Sequence, residues 1–327
     1  MNRMKYICST TARMLTLLIA VCILSFALIT ASPIDPLQAY IGSESTLSDE
    51  AKEEIADYWG LDDPSVERFL TWANHTLHGD LGTSITYNKA VSAVILDRFK
   101  YSLALILAAW ALSGIIGFAA GIIAAMKKGG ILDKCIKTFC LILQSAPVVW
   151  FGLLMLTVFS VLLGWFPTGQ AAPVNKLAED VTIWDRIYHM VLPTITLSIL
   201  GISKIALYTR QKLIEIMHSD YILFAKARGE SARQLVIRHG IRNIAMPAIT
   251  LQFASFSELF GGIALAETVF SYPGLGSATT AAALNADAPL LIGIAMFSAL
   301  FVFTGNLIAN ILYGILDPRL KEGGYRA

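Results

Sequence analysis

Apolar residues along this 327-residue chain gather into long runs instead of recurring every three or four positions, which is the pattern of helices immersed in lipid. Crossing about 30 Å of hydrocarbon takes about 20 mainly apolar residues. Six segments meet that requirement, near 13–31, 101–125, 139–163, 188–209, 246–270 and 289–316. The fourth is the weakest, because Lys204 interrupts it. Region 32–97 between the first two spans is polar. In it, "LSDEAKEEIADYWGL" starts at a candidate N-cap, Ser48, with acids crowding the first turn, where the helix dipole favours them. "PSVERFLTWANHTLHG" predicts a second short amphipathic helix ending at Gly79. The segment is too small for a large core of its own and is expected to pack over the external ends of the spans. Stretch 164–187, with turn formers at both ends, reads as a second external loop.

Basic residues orient these spans, because positively charged loops stay inside. Arg3, Lys5 and Arg13 mark the N-terminal tail, and Lys127, Lys128, Lys134 and Lys137 the loop after the second span. Arg210 through Arg242 form a third basic stretch, and Arg319, Lys321 and Arg326 mark the C-terminal tail. Region 32–100 instead carries more acids than bases, and 271–288 has no Lys or Arg. Both termini are therefore expected on the cytoplasmic side. The basic start, apolar run and small residues near Ala31 also match a cleaved signal peptide loosely. Cleavage would leave five spans and an external terminus.

Composition supports the membrane reading. Charged residues make up 15% of the chain, below the soluble norm of about 25%. With 25 Lys and Arg against 24 Asp and Glu, the chain lacks the basic excess of a nucleic-acid binder. Cys8, Cys22, Cys135 and Cys140 fall in or beside apolar segments and basic tails, so no disulfide framework is implied. The fold class expected is an all-α integral membrane protein.

The phosphate-cradling GxxxxGK[ST] loop, the HExxH zinc pattern and the GxSxG elbow are missing from the sequence, which argues against catalysis by this chain alone. His75 and His78 share a helix face but have no third ligand nearby, and read as solvated histidines. In the fifth span, Glu258 lies near the middle and Glu267 toward the outer end. A carboxylate at membrane depth is costly and faces a cavity or a partner. Glu258 fits either an acid on a translocation path or a packing acid paired with a base such as Lys204. A structural role suits Glu267 better. Gly114, Gly117 and Gly121 lie near one helix face and, like Gly261 and Gly262, suit close helix–helix approach.

Between the fourth and fifth spans stands "DYILFAKARGESARQLVIRHG", residues 220–240. Asp220 can cap a helix, Gly229 breaks it, and a second helix follows with Ser231 near its cap. Small residues Ala225, Ala227 and Gly229 would let another protein approach closely. A basic amphipathic loop lying against anionic headgroups fits the same residues, and the physics leaves both readings open.

This stretch, continued as "RHGIRNIAMPAIT", resembles the cytoplasmic coupling loop of bacterial binding-protein-dependent ABC importer permeases, and more closely the subgroup for dipeptides, oligopeptides and nickel. "SPIDP", "WGLDDPSVERFLTW", "HGDLGTSI", "GILDK", "SAPVVWFGLLML", "VLPTITLS", "AETVFSYPGLG" and "ILDPRLKEG" resemble the subgroup's pattern in the same order. Leu223 and Phe224 stand where the general family has acid and Ala, and the proline after the loop comes late, at Pro247; both features resemble the subgroup. "NADAPL" departs from the usual last external loop.

The resemblance implies a six-span type I importer permease fold in a bacterial cell membrane. It divides the chain into a tail and first span (1–31), an external segment (32–97), a transmembrane core (98–316) with a coupling loop at 210–243, and a tail (317–327). Tyr221, Ala225, Ala227 and Gly229 would be the residues that dock on an ATPase subunit. The implied partners are a second permease, two ATPases that bind ATP and Mg, and a solute-binding protein; this chain itself would hold no cofactor. Peptides are the cargo expected, with nickel or a metal chelate as the alternative. An ion-driven secondary transporter is the competing class, and it would need ionisable relays beyond Glu258, Glu267 and Lys204.

Overall fold

A computed structural model describes residues 3–30, 64–177, 179–285 and 287–316. The expected helix at Ser48, the "SPIDP" stretch and "ILDPRLKEG" beyond its first two residues lie outside the described residues. The rest is almost wholly helical: α1 (Arg3–Thr30), α2 (Ser65–Leu77), α3 (Val91–Met126), α4 (Ile131–Ser145), α5 (Val148–Met155) with a π-helical continuation over Leu156–Leu162, and α6 (Ile183–Met217). Then come α7 (Asp220–Ala227), α8 (Ala232–Leu235), a π-helical turn over Val236–Gly240, α9 (Ile241–Ala254), α10 (Phe256–Val269), α11 (Leu275–Leu284) and α12 (Ala288–Leu316). A two-residue hairpin, β1 (Thr83–Ser84) with β2 (Lys89–Ala90), precedes α3, pairing Thr83 with Ala90 and Ser84 with Lys89.

Three described helices, α3, α6 and α12, are long and apolar enough to cross a membrane, and bent pairs raise the number to as many as five. The bends correct two straight spans expected from hydropathy. The segment 139–163 is cut between Ser145 and Val148, where α4 and α5 meet at 109°. Ala146 precedes Pro147 and adopts an extended backbone, as a residue before proline is driven to do. The segment 246–270 breaks at Ser255, where the helix running Ala232–Ala254 meets α10 at 47°. Pro247, expected to open this span, lies inside α9. The α6 helix is longer than predicted. It starts at a capping box in which Asp185 N–H donates to Thr182 Oγ1 and the Asp185 carboxylate accepts from Thr182 N–H, so Thr182 and not the apolar run sets the boundary.

The chain forms two compact units: residues up to Tyr101 with Pro273–Thr304, and Ser102–Tyr272 with those from Gly305 onward. In the first, Val91, Val94 and Ile95 of α3 pack with Leu275, Ala278 and Ala282 of α11 and Leu290 and Ile294 of α12, and Leu81 and Tyr87 close over them. Asp287, wholly buried, pins the hairpin to this core. Its carboxylate accepts from Ser84 Oγ at 2.6 Å, Thr86 N–H at 2.9 Å and Leu290 N–H at 3.2 Å, so one side chain caps α12 and holds the turn. This acid belongs to "NADAPL", where sequence reading found only a departure.

The second unit is built on close contact between α3 and α6. A Cβ at Gly117 would stand 2.8 Å from the Ile202 carbonyl oxygen, and one at Gly121 2.6 Å from that of Ala206. In return, a Cβ at Gly201 would stand 2.7 Å from that of Ser113. Gly114 instead lies under the Gln252 side chain. Gln252 and Trp110 bond reciprocally, Nε2 donating to the Trp110 backbone carbonyl and the indole N–H to the Gln252 backbone carbonyl at 2.8 Å. Both side-chain N–H groups thus find acceptors inside the bundle, while Gln252 Oε1 is buried without a hydrogen-bond partner among the described residues.

Two outcomes follow from this packing. Gly121→Leu forces the two backbones apart and is expected to cost about 1–3 kcal/mol, read as a lower unfolding temperature of the detergent-purified chain; an unchanged temperature would contradict the contact. Asp287→Ala strands Ser84 Oγ and two amides, and accelerated proteolytic cleavage between Asp80 and Lys89 checks that loss.

Candidate coupling surface and intramembrane charges

The helix–turn–helix between α6 and α9 is assembled from local rules. α6 ends at Met217, and Ser219, with an extended backbone, precedes α7; Asp220 is the first helical residue and not the cap expected of it. Asp220 in the first turn and Lys226 in the last both suit the helix dipole. The helix ends in a Schellman motif. Gly229, at φ +88°, donates its N–H to the Lys226 carbonyl, and Glu230 donates to that of Ala225. A second capping box starts α8, with Ser231 N–H donating to Gln234 Oε1 at 2.8 Å and Gln234 N–H to Ser231 Oγ. His239 Nε2 lies 3.1 Å from the Glu230 carboxylate, closing the turn onto the next helix.

Which face of α7 is free follows from its burial. Ile222 and Ala225 point inward and pack with Leu235, Ile216 and Met217. Tyr221, Leu223 and Phe224 point outward, at 47%, 54% and 67% exposure, with Ala227 and Gly229 also exposed. Among the four residues singled out by sequence, Tyr221, Ala227 and Gly229 are therefore open to a partner and Ala225 is not. Ala225 is small because α7 lies close on its own base. Leu223 and Phe224, noted in the sequence only as departures from the general pattern, supply the exposed apolar surface.

Below α7, Leu213, Val236 and Ile244 form a buried cluster with Phe118, Ile122 and Ala125 of α3 packed against it. A Cβ at Gly240 would stand 2.7 Å from Leu213 Cδ1, so the turn is seated directly on α6. Asp133 adds a polar brace. Buried in the first turn of α4, it accepts from Arg210 Nε and, at 2.8 Å, from Arg210 Nη2, and from Gly129 N–H at 2.8 Å. Two-pronged guanidinium contact is the strong form of such a pair. Sequence reading quoted Asp133 within "GILDK" but gave it no role, because its partner Arg210 lies 77 residues away.

The intramembrane acids divide. Glu267 is wholly buried and accepts from Ser102 Oγ at 2.6 Å, joining α10 to α3. Glu258 accepts from Lys204 Nζ at 2.7 Å, yet the two side chains remain 54% and 44% exposed. The pairing with Lys204 entertained for Glu258 is thus present, on an open face. In the other unit, His78 Nδ1 lies 2.8 Å from the Asn74 carbonyl, and His75 faces Asp80 at 3.7 Å. No cluster of three or more His, Cys, Asp or Glu suited to a metal occurs among the described residues.

Residues 117–322 match the family model described as binding-protein-dependent transport system inner membrane component. The chain is 34% identical over 317 residues to the oligopeptide transport system permease protein AppB of Bacillus subtilis, covering 97% of this chain and 99% of that one. It is 33% identical over 333 residues to the di/tripeptide transport system permease protein DppB of Pseudomonas aeruginosa, covering 96% and 99%. Among solved structures, the inward-facing MetNI methionine ABC transporter matches with a TM-score of 0.56 at 14% identity, over 69% of this chain and 97% of that one, a likeness of fold. The chain is therefore a membrane protein with an ABC importer permease fold, and it belongs to the family of inner membrane components of binding-protein-dependent transport systems.

Proposed function

We propose that this chain is one of two permease subunits of an ATP-driven importer in a bacterial plasma membrane, and that it forms half of the path along which peptides enter. The observation that carries the reading is full-length similarity to permeases named for oligopeptide and for di- and tripeptide transport, joined to an exposed helix–turn–helix seated on the bundle. Six spans, with both termini on the cytoplasmic side, follow from the basic loops and place α7 inside. The transmembrane core runs over 98–316, with the external segment 32–97 before it.

On this reading, α7 docks on an ATPase subunit through Tyr221, Leu223, Phe224 and the open turn at Ala227 and Gly229. An apolar face exposed on an eight-residue helix suits a protein groove. When the two ATPases close on ATP, the loops are drawn together. The Leu213–Val236–Ile244 cluster and the Asp133–Arg210 brace pass the displacement to α3, α4 and α6. The spans then rock between inward- and outward-facing states around cargo released by a solute-binding protein. Hydrolysis chemistry, with ATP and Mg, belongs to the partner subunits.

The tagged chain, extracted with its neighbours in mild detergent, is expected to bring down a P-loop ATPase and a second permease. Recovery of this chain without any ATPase would leave the importer reading without support. Gly229→Glu is expected to abolish uptake of peptide while leaving membrane insertion intact, because it sets a charge and a side chain on the docking face. Gly229→Asn, which tolerates a positive φ, is expected to retain far more uptake, separating docking from backbone strain.

A further inference from the structure

Between His189 and Arg210, Lys204 is the one residue of α6 that stands exposed. Facing it, α10 exposes Glu258, Gly261, Leu265 and Thr268, whose spacing of three, four and three places them on one side of the helix. Nothing stands within 4 Å of where a Gly261 Cβ would be, so the surface beside Glu258 is open. An ion pair that served only to clamp α6 to α10 would be enclosed, as the Asp133–Arg210 pair is. This one joins the two helices with a single bond at 2.7 Å and leaves both charged ends accessible. In hydrocarbon such charges do not face lipid; they face a watery cavity or a partner.

The chemistry of that cavity is specific. An ammonium and a carboxylate side by side carry no net charge, so they attract neither a free cation nor a free anion strongly. They match a ligand that carries one of each. Such a ligand can trade places with the internal pair, ammonium to carboxylate and carboxylate to ammonium, without an unpaired charge at any stage in a low-dielectric setting. Long, flexible side chains on separate helices let the two charges part to span such a ligand. Resting on the peptide reading above, we propose that Lys204 and Glu258 form a station on the translocation path that receives a peptide by its two free termini. Lys204 takes the α-carboxylate and Glu258 the α-ammonium. A peptide lacking one terminal charge leaves one side chain unanswered.

The test uses the complete importer, with its ATPases and binding protein, in proteoliposomes supplied with trialanine, trialanine amide or N-acetyl-trialanine. Lys204→Met is expected to lower trialanine uptake by about tenfold, the size of one lost charge-assisted contact, and to change amide uptake less than twofold. Glu258→Gln is expected to mirror this, sparing the acetylated peptide. Comparing each variant with wild type for the same cargo cancels the selectivity of the binding protein. Binding-protein-stimulated ATP hydrolysis should stay within twofold of wild type in both variants. Equal losses for free and blocked peptides, or ATP hydrolysis falling in step with uptake, would assign the pair to helix packing or to the contact with the second permease and overturn the proposal. So would full uptake in both variants. Where wild type carries only the free tripeptide, the split between uptake and hydrolysis decides. A wild-type importer that moves a metal chelate and no trialanine overturns the peptide reading itself, a result visible before any variant is made.

Discussion

Helices in lipid gain little from hiding apolar surface, since the solvent is as apolar as they are, so association depends on how closely backbones can approach. In this chain that constraint is met where α3 crosses α6. Gly117 and Gly121 bring one backbone onto the carbonyls of Ile202 and Ala206, and Gly201 admits Ser113 from the other side. Much else depends on the contact. α6 carries Lys204 and Arg210 in its body and supports α7 at its end, and α3 presents Phe118, Ile122 and Ala125 to the cluster under the coupling loop. Displace α6 from α3 and the loop loses its floor.

Stiffness under α7 bears on the coupling role proposed for it. A loop that passed ATPase movement to the spans, as proposed, would have to be stiff. A capping box, a Schellman turn and a guanidinium–carboxylate pair leave little slack between α7 and the bundle. The bends lie farther in, at Ala146-Pro147 and at Ser255, where helices change direction without leaving the unit they belong to. Rigid ends joined by bent bodies suit alternating access, in which whole helices tilt and no helix has to melt.

Polar groups inside the bundle fall into two kinds. Glu267 with Ser102, and Gln252 with Trp110, are enclosed and join helices with bonds that have no competing water. Asp287 does the same for the β1–β2 hairpin. Lys204 and Glu258 are paired but open. The difference lies in exposure, on which the proposed cargo role of the Lys204–Glu258 pair rests.

The apolar helices and the interrupted basic helix were legible in the sequence, because each rests on local quantities: apolar run length, and glycine or serine at helix ends. Gly229 and Ser231 lie at the turns expected of them for that reason. Asp133, Asp287 and Gln252 were not legible, since their partners Arg210, Ser84 and Trp110 are distant in sequence and a lone polar residue carries no mark of what it will meet. Hydropathy also could not show the 109° bend within an unbroken apolar run, because a running mean counts apolar residues and is blind to direction. Sequence by itself determined the class, the number of apolar runs expected to span, and the two helices of the 220–240 stretch. Tertiary structure alone decided that Ala225 faces inward and Phe224 outward, and that Glu267 is enclosed while Glu258 stays open. Those are properties of which helix lies alongside, and no single helix carries that information.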